Sequence, residues 1–227
     1  MNIRFSGLSK IIDLKKGYPF FVCVENRHLY ARFIYSLLSE AGEESPEPYT
    51  LWDDNDEKLR PKNHFLWVTD PFHLPYENKL LMGEVLNGIA NSIDDSFETR
   101  EEFKDITRQL YKLLLLETYQ YKGNYAISPD VDIHKILKLM SFSPDTSRDN
   151  NLLDELINFI HIARDASLIQ PIVFVGICSF LTDKEVELLL EEIKNSCLNV
   201  LFFENRIPCD AVYEEKHILL DLEFLES

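Results

Sequence analysis

Arg100, Lys104, Arg108 and Lys112 recur in steps of four. On a helix, that spacing holds four cations to one side, roughly opposite Phe103, Ile106, Leu110 and Leu113. The 12 residue steps from Arg100 to Lys112, at about 1.5 Å each, span about 18 Å, enough to follow a duplex phosphate backbone. The same spacing also describes a solvated helix face with local ion pairs to Glu101 and Asp105. Lys15, Lys16, Arg27 and Arg32 are further phosphate-binding candidates with less regular spacing. No recognition helix rich in Asn, Gln or Arg stands out. Any DNA contact would therefore be to phosphates, without sequence choice.

Glu117, Asp130 and Asp132 are the acids that could bind a hard cation. Their spacing is not that of an EF-hand. Ser128-Pro129-Asp130-Val131-Asp132 is equally a good helix start, with acids where the helix dipole favours them.

Other chemistry lacks its residues. A phosphate-binding loop needs glycines after the first buried strand, but the chain has Glu25-Asn-Arg-His-Leu-Tyr-Ala-Arg32 there. No glycine lets the backbone wrap a phosphate, and an acid stands where the anion would bind, which argues against nucleotide binding. Asp70 could hold a magnesium ion, or could simply make the turn before Pro71. A phospho-acceptor receiver domain needs an acidic pair after the first strand, an acceptor Asp after the third and a Lys after the fifth. Glu25 and Asp70 fit that pattern, whereas Gly176-Ile-Cys supplies no Lys. No Gly-x-Ser-x-Gly, no His-Glu-x-x-His and no diagnostic Cys/His spacing occurs. The chain reads as a non-enzyme.

The periodicity shows what must position these groups. Residues 1–16 alternate around Gly7 as a hairpin or a pair of edge strands. Pro19–Val24 and His64–Thr69 are apolar runs suited to buried parallel strands. Asn26 can cap a helix through Glu40, and a short strand is expected at Tyr49–Trp52. From about Leu74 to Arg164 the period is helical. Thr99-Arg-Glu-Glu102 reads as a capping box opening a long helix, and Ile133–Met140 and Leu152–Ala163 as two more helices. After Pro171 the chain returns to strand, capped helix (Thr182 with Glu185) and strand, and His217–Leu222 reads as an edge strand. The expected fold class is α/β with a mostly parallel sheet, interrupted by an inserted all-helical domain.

Composition bounds the setting. The 227 residues carry a net charge of −16, unevenly spread. Residues 1–38 hold six basic and two acidic residues, and residues 99–165 nine and eleven, while the remaining segments are strongly acidic. A fold could gather the cations on one surface. The opening Met-Asn-Ile-Arg-Phe-Ser has no apolar signal region, and no run is long enough to span a bilayer. Four scattered cysteines without a Cys-x-x-Cys pair suit reduced thiols. A cytoplasmic protein without membrane contact is expected.

Three stretches together carry a resemblance. They are Phe21-Val-Cys-Val-Glu-Asn26 with its following helix, Leu66-Trp-Val-Thr-Asp70, and Ile172 to Arg206 ending in Asn199-Val-Leu-Phe-Phe-Glu-Asn-Arg206. In order and extent the chain resembles the spacer-acquisition accessory proteins of type II-A CRISPR–Cas systems (the Csn-two family). The resemblance implies a degenerate P-loop (RecA-like) head over 1–73 and 168–227 and a helical leg over 74–167. It implies a homotetrameric ring that binds double-stranded DNA from its ends, with calcium and without nucleotide. It further implies work beside the CRISPR integrase complex and the effector nuclease in adaptation, an antiviral defence. Arg100, Lys104, Arg108 and Lys112 would then lie on the leg. Lys122-Gly-Asn-Tyr-Ala-Ile-Ser-Pro-Asp130-Val131-Asp132 departs from the dense acidic stretch of the family. Glu117 matches a family acid, and Asp130 and Asp132 are candidate substitutes. Two other readings stay open: a protein-interaction module of the adaptation complex that does not touch DNA, and a degenerate receiver-like domain.

Overall fold

The computed structural model describes residues 1–145, 151–223 and 226. The chain divides into two compact units, one of residues 1–76 with 146–227 and one of residues 77–145.

The first unit is mixed α/β and holds two sheets. The smaller is antiparallel, in the order β2 (Ile12–Asp13), β1 (Asn2–Phe5), β4 (Tyr49–Trp52) and β5 (Lys58–Leu59). Its inward side chains Ile3, Phe5, Ile12, Tyr49 and Leu51 are buried. The strand β5 carries no period-2 signal, because a two-residue strand is too short to show one.

The larger sheet is wholly parallel, in the order β6 (Leu66–Val68), β7 (Ile172–Val175), β8 (Val200–Glu204), β3 (Phe20–Val24) and β9 (Lys216–Leu220). Every residue of β3 and β8 is buried, as continuous apolar runs demand when both faces of a strand are covered. Phe202 pairs in register with Phe21 on one side and Phe174 on the other. The three rings stack across the sheet with centroids 4.5 and 5.3 Å apart.

Local chemistry starts and stops the helices of this unit. In α1 (Arg27–Leu38), the Asn26 side chain accepts the His28 and Leu29 N–H groups, satisfying two donors that lack intrahelical partners. In α6 (Asp183–Ser196), Thr182 and Glu185 form the reciprocal capping box that their spacing predicts. α5 (Leu152–Asp165) buries Leu156, Phe159, Ile160 and Ala163, and its His161 Nε2 lies 2.8 Å from Glu192 Oε1 on α6. The helical domain expected over 74–167 and the second unit therefore differ at their C-terminal bound: α5 packs on α6, and its Phe159 meets Phe174 of the sheet.

The second unit comprises α2 (Lys79–Asp95), α3 (Phe97–Thr118) and α4 (Ile133–Leu139). Both α3 and α4 pack on α2, and His134 Nε2 lies 3.0 Å from Asn87 Oδ1. α3 does not begin at the Thr99–Glu102 capping box suggested by the sequence. Ser96 caps it, accepting the Thr99 N–H at 3.3 Å, so Thr99 falls in the first turn. Two cap-like residues lie three apart, and the earlier one wins because Phe97 and Glu98 continue the helix.

Candidate nucleic-acid interface

The α3 helix presents two exposed faces. Ile106, Leu110 and Leu113 are 58, 47 and 61 % exposed, and Leu114 and Leu116 are open beside them. Thr107 alone of its 22 residues is buried. The face that packs on α2 thus runs through Thr107, about a quarter turn from the apolar stripe, which stays uncovered. Helical periodicity identifies a stripe but not its partner.

The cations lie on the other side. Lys104, Arg108 and Lys112 are exposed. Lys104 Nζ bridges Glu101 at 2.8 Å and Arg108 Nη1 bridges Asp105 at 2.7 Å, both one turn back on α3. Such exposed pairs are weak, because water screens them, and a phosphate can compete for the cations. Lys104 leaves the Glu101 carboxyl below its ordinary range. Lys112 makes no ion pair among the described residues. Arg100 departs from the line: its guanidinium lies over the Phe97 ring at 5.7 Å and reaches Asp94 O at 3.5 Å.

The N-terminal candidates scatter over the first unit. Lys15 Nζ lies 3.1 Å from Asp13, which also holds Lys216 at 2.9 Å. Arg32 bridges Glu47 at 2.9 Å and the Pro46 carbonyl at 3.0 Å. Lys16 and Arg27 are exposed, with no ion pair among the described residues.

The metal candidates are not gathered. Asp132 Oδ1 caps α4 by accepting the His134 N–H at 2.9 Å, and Glu117 Oε2 accepts from Gln120 at 2.8 Å. Asp130 is exposed, its N–H donated to Ser128. Among the described residues, no three His, Cys, Asp or Glu side chains converge on one point.

At the carboxyl ends of the parallel strands, where such sheets place ligands, the groups are engaged by the fold itself. The Asn26 side chain is spent on the α1 cap. Asp70 accepts the Phe72 N–H at 2.9 Å and lies 2.7 Å from His73 Nδ1, contacts that keep its carboxyl below the ordinary range. Gly176 takes a left-handed φ of 67° after β7, and a Cβ there would meet Tyr30 Oη at 3.4 Å.

Glu204, at the end of β8, is a residue that sequence reasoning misses. It is 1 % exposed, and its Oε1 accepts the Cys178 N–H at 3.1 Å. Burial pushes its carboxyl up to about 7, against the pull of that hydrogen bond and of Arg206. Burial also raises the neighbouring Cys23 thiol to about 12, and that of Cys178 further, so neither is a reactive thiolate. An acid closing a four-residue apolar run is the signal that could mark Glu204.

Comparison with known proteins bears on the whole chain. A solved structure, the crystal structure of Stu0660 of Streptococcus thermophilus, superposes with a TM-score of 0.60 over 97 % of this chain and 74 % of that one, at 15 % identity, and so shares the fold. A relative from Enterococcus faecalis described as CRISPR-associated protein Csn2 is 20 % identical over 207 residues, covering 91 % of each chain. The family model described as CRISPR-associated protein (Cas_Csn2) matches residues 43–223. The chain therefore belongs to the Csn2 family of CRISPR-associated proteins.

Proposed function

We propose that this protein binds double-stranded DNA ends without sequence choice, as a homotetrameric ring, during CRISPR spacer acquisition. It acts without catalysis or nucleotide, in the bacterial cytoplasm, beside the integrase complex and the effector nuclease. Family membership supplies the CRISPR setting. No helix among the described residues is long and apolar enough to cross a membrane. The parallel sheet, with β3 leading directly into α1, supports a P-loop-type head whose connecting residues Glu25 and Asn26 cannot cradle a phosphate.

One observation carries the reading: the two-faced exposure of α3. Ile106, Leu110 and Leu113 lie bare on one side, and Lys104, Arg108 and Lys112 on the other. A long helix with so little burial gains its stability from packing against something else. Copies of the chain that covered the apolar stripes would leave the basic lines free. Four such lines around a closed ring focus positive potential inside it, while acidic outer faces repel other anions. That arrangement reconciles DNA binding with a net charge of −16.

The test is binding to linear and to closed circular duplex, measured over a salt series. The reading expects linear duplex to bind, with affinity falling steeply as salt rises, and closed circles to be excluded. Equal affinity for the two forms would remove the ring. A second reading has its own support: α3 carries five acids against four cations, and two of the cations are already paired. No detectable duplex binding, with a stable complex to the integrase or nuclease, would favour a protein-docking module.

A further inference from the structure

The turn between β1 and β2 holds an anion. Ser9 donates its N–H at 2.7 Å and its Oγ–H at 2.9 Å to Glu226 Oε2, and Lys10 donates its N–H at 2.7 Å to Oε1 of the same carboxylate. The ligand comes from the far end of the sequence. Leu220, the last residue of β9, forms an antiparallel β-bridge with Glu226, which anchors that carboxylate beside the turn.

The geometry is that of recognition rather than of a chance surface contact. Two consecutive backbone N–H groups point at one anion, one to each oxygen, and a hydroxyl adds a third donor. Such nests of successive amides bind oxyanions, and hydrogen bonds to an ionised acceptor are about twice as strong as neutral ones. Burial raises the Glu226 carboxyl, but the donors from Ser9 and Lys10 outweigh it and leave the group below its ordinary range. The Lys10 ammonium adds its charge to the donors that favour the Glu226 carboxylate. Residues 1–38 around it are net positive in a chain that is otherwise acidic.

We propose that Ser9 and Lys10 form a phosphate-oxyanion site, kept filled by the tethered carboxylate of Glu226 until a phosphate displaces it. Inorganic phosphate carries more charge than a carboxylate, a backbone phosphodiester carries the same charge, and either presents a pair of oxygens to the two amides. The tether sets the threshold. A side chain a few residues beyond its anchor at Leu220 competes at an effective concentration on the order of millimolar, so weak anions do not enter the intact site. The site belongs to the first unit and does not depend on α3. Its nucleic-acid form alone rests on the DNA-binding reading.

The experiment follows the Ser9 and Lys10 amide resonances of the full chain during titration with inorganic phosphate, with chloride at matched ionic strength as control. In Glu226→Ala, phosphate should shift both amides saturably and chloride should not. In the unsubstituted chain the midpoint should rise about tenfold or more, because the tethered competitor must leave first. Glu226→Gln, which keeps the shape and removes the charge, should fall between the two. A parallel titration with a short duplex separates the sources: shifts in the same amides assign backbone phosphate, and shifts with inorganic phosphate alone assign a small anion. No saturable shift in Glu226→Ala with either probe, or the same midpoint with and without Glu226, overturns the site. Because inorganic phosphate tests it alone, this outcome is separable from failure of duplex binding.

Discussion

The carboxyl of Glu204 accepts the Cys178 backbone N–H at 3.1 Å, inside the carboxyl edge of the parallel sheet and almost wholly out of water. It is an acid at the end of an apolar strand, held by backbone donors, with no bridging cation among the described residues. Its protonation is therefore linked to folding.

That linkage has a definite sign. The folded carboxyl titrates at about 7 and the unfolded one at 4.5, so between these values the folded state holds a proton that the unfolded state has lost. The contribution is fully present below pH 4.5 and is lost as pH rises through 7, amounting to about 3 kcal/mol at most. Urea midpoints at pH 5 and pH 8 should therefore differ. Glu204→Gln, which keeps an acceptor for Cys178, should flatten that difference. An unchanged pH slope in the variant would contradict the assignment.

Substituting Leu110 and Leu113 with Lys probes the apolar stripe. Both are exposed on α3, so circular dichroism should be unchanged. Light scattering should shift from a multimer to the mass of one chain. A multimer that persists in the double variant would place the interface elsewhere.

Reversing Lys104, Arg108 and Lys112 to Glu addresses the opposite side of the helix. Duplex affinity should fall, and the slope of log affinity against log salt should shrink by about one for each phosphate that is no longer neutralised, while the multimer stays intact. Arg100→Glu should have a smaller effect on binding, because that guanidinium is engaged over Phe97 and at Asp94 O.

Chelation tests the metal expectation directly. With Glu117 and Asp132 committed to Gln120 and the α4 cap, and no three ligating groups converging among the described residues, EDTA should leave the melting temperature and the multimer unchanged. A drop of several degrees, restored by calcium, would show that the acids come together on assembly.

Elements with strong local signals are legible in the residues alone. The apolar runs that form β3, β7 and β8, the Asn26 cap and the Thr182–Glu185 box are decided within a few residues, by burial on both faces or by an unsatisfied N–H. The start of α3 is less legible, because Ser96 and Thr99 both qualify as caps and only the backbone chooses between them.

The sequence by itself determined the order of the main strands and helices, the two cation-bearing segments and the absence of a phosphate-cradling loop after β3. Each of these is a matter of residue type and near-neighbour spacing. Tertiary structure alone decided that the Ile106–Leu113 stripe is bare, that α5 packs with α6, that Glu204 loses its water and that Ser9 meets Glu226 across 217 positions. Burial and long-range hydrogen bonds depend on what the rest of the chain brings to a residue, and neither period nor composition carries that information.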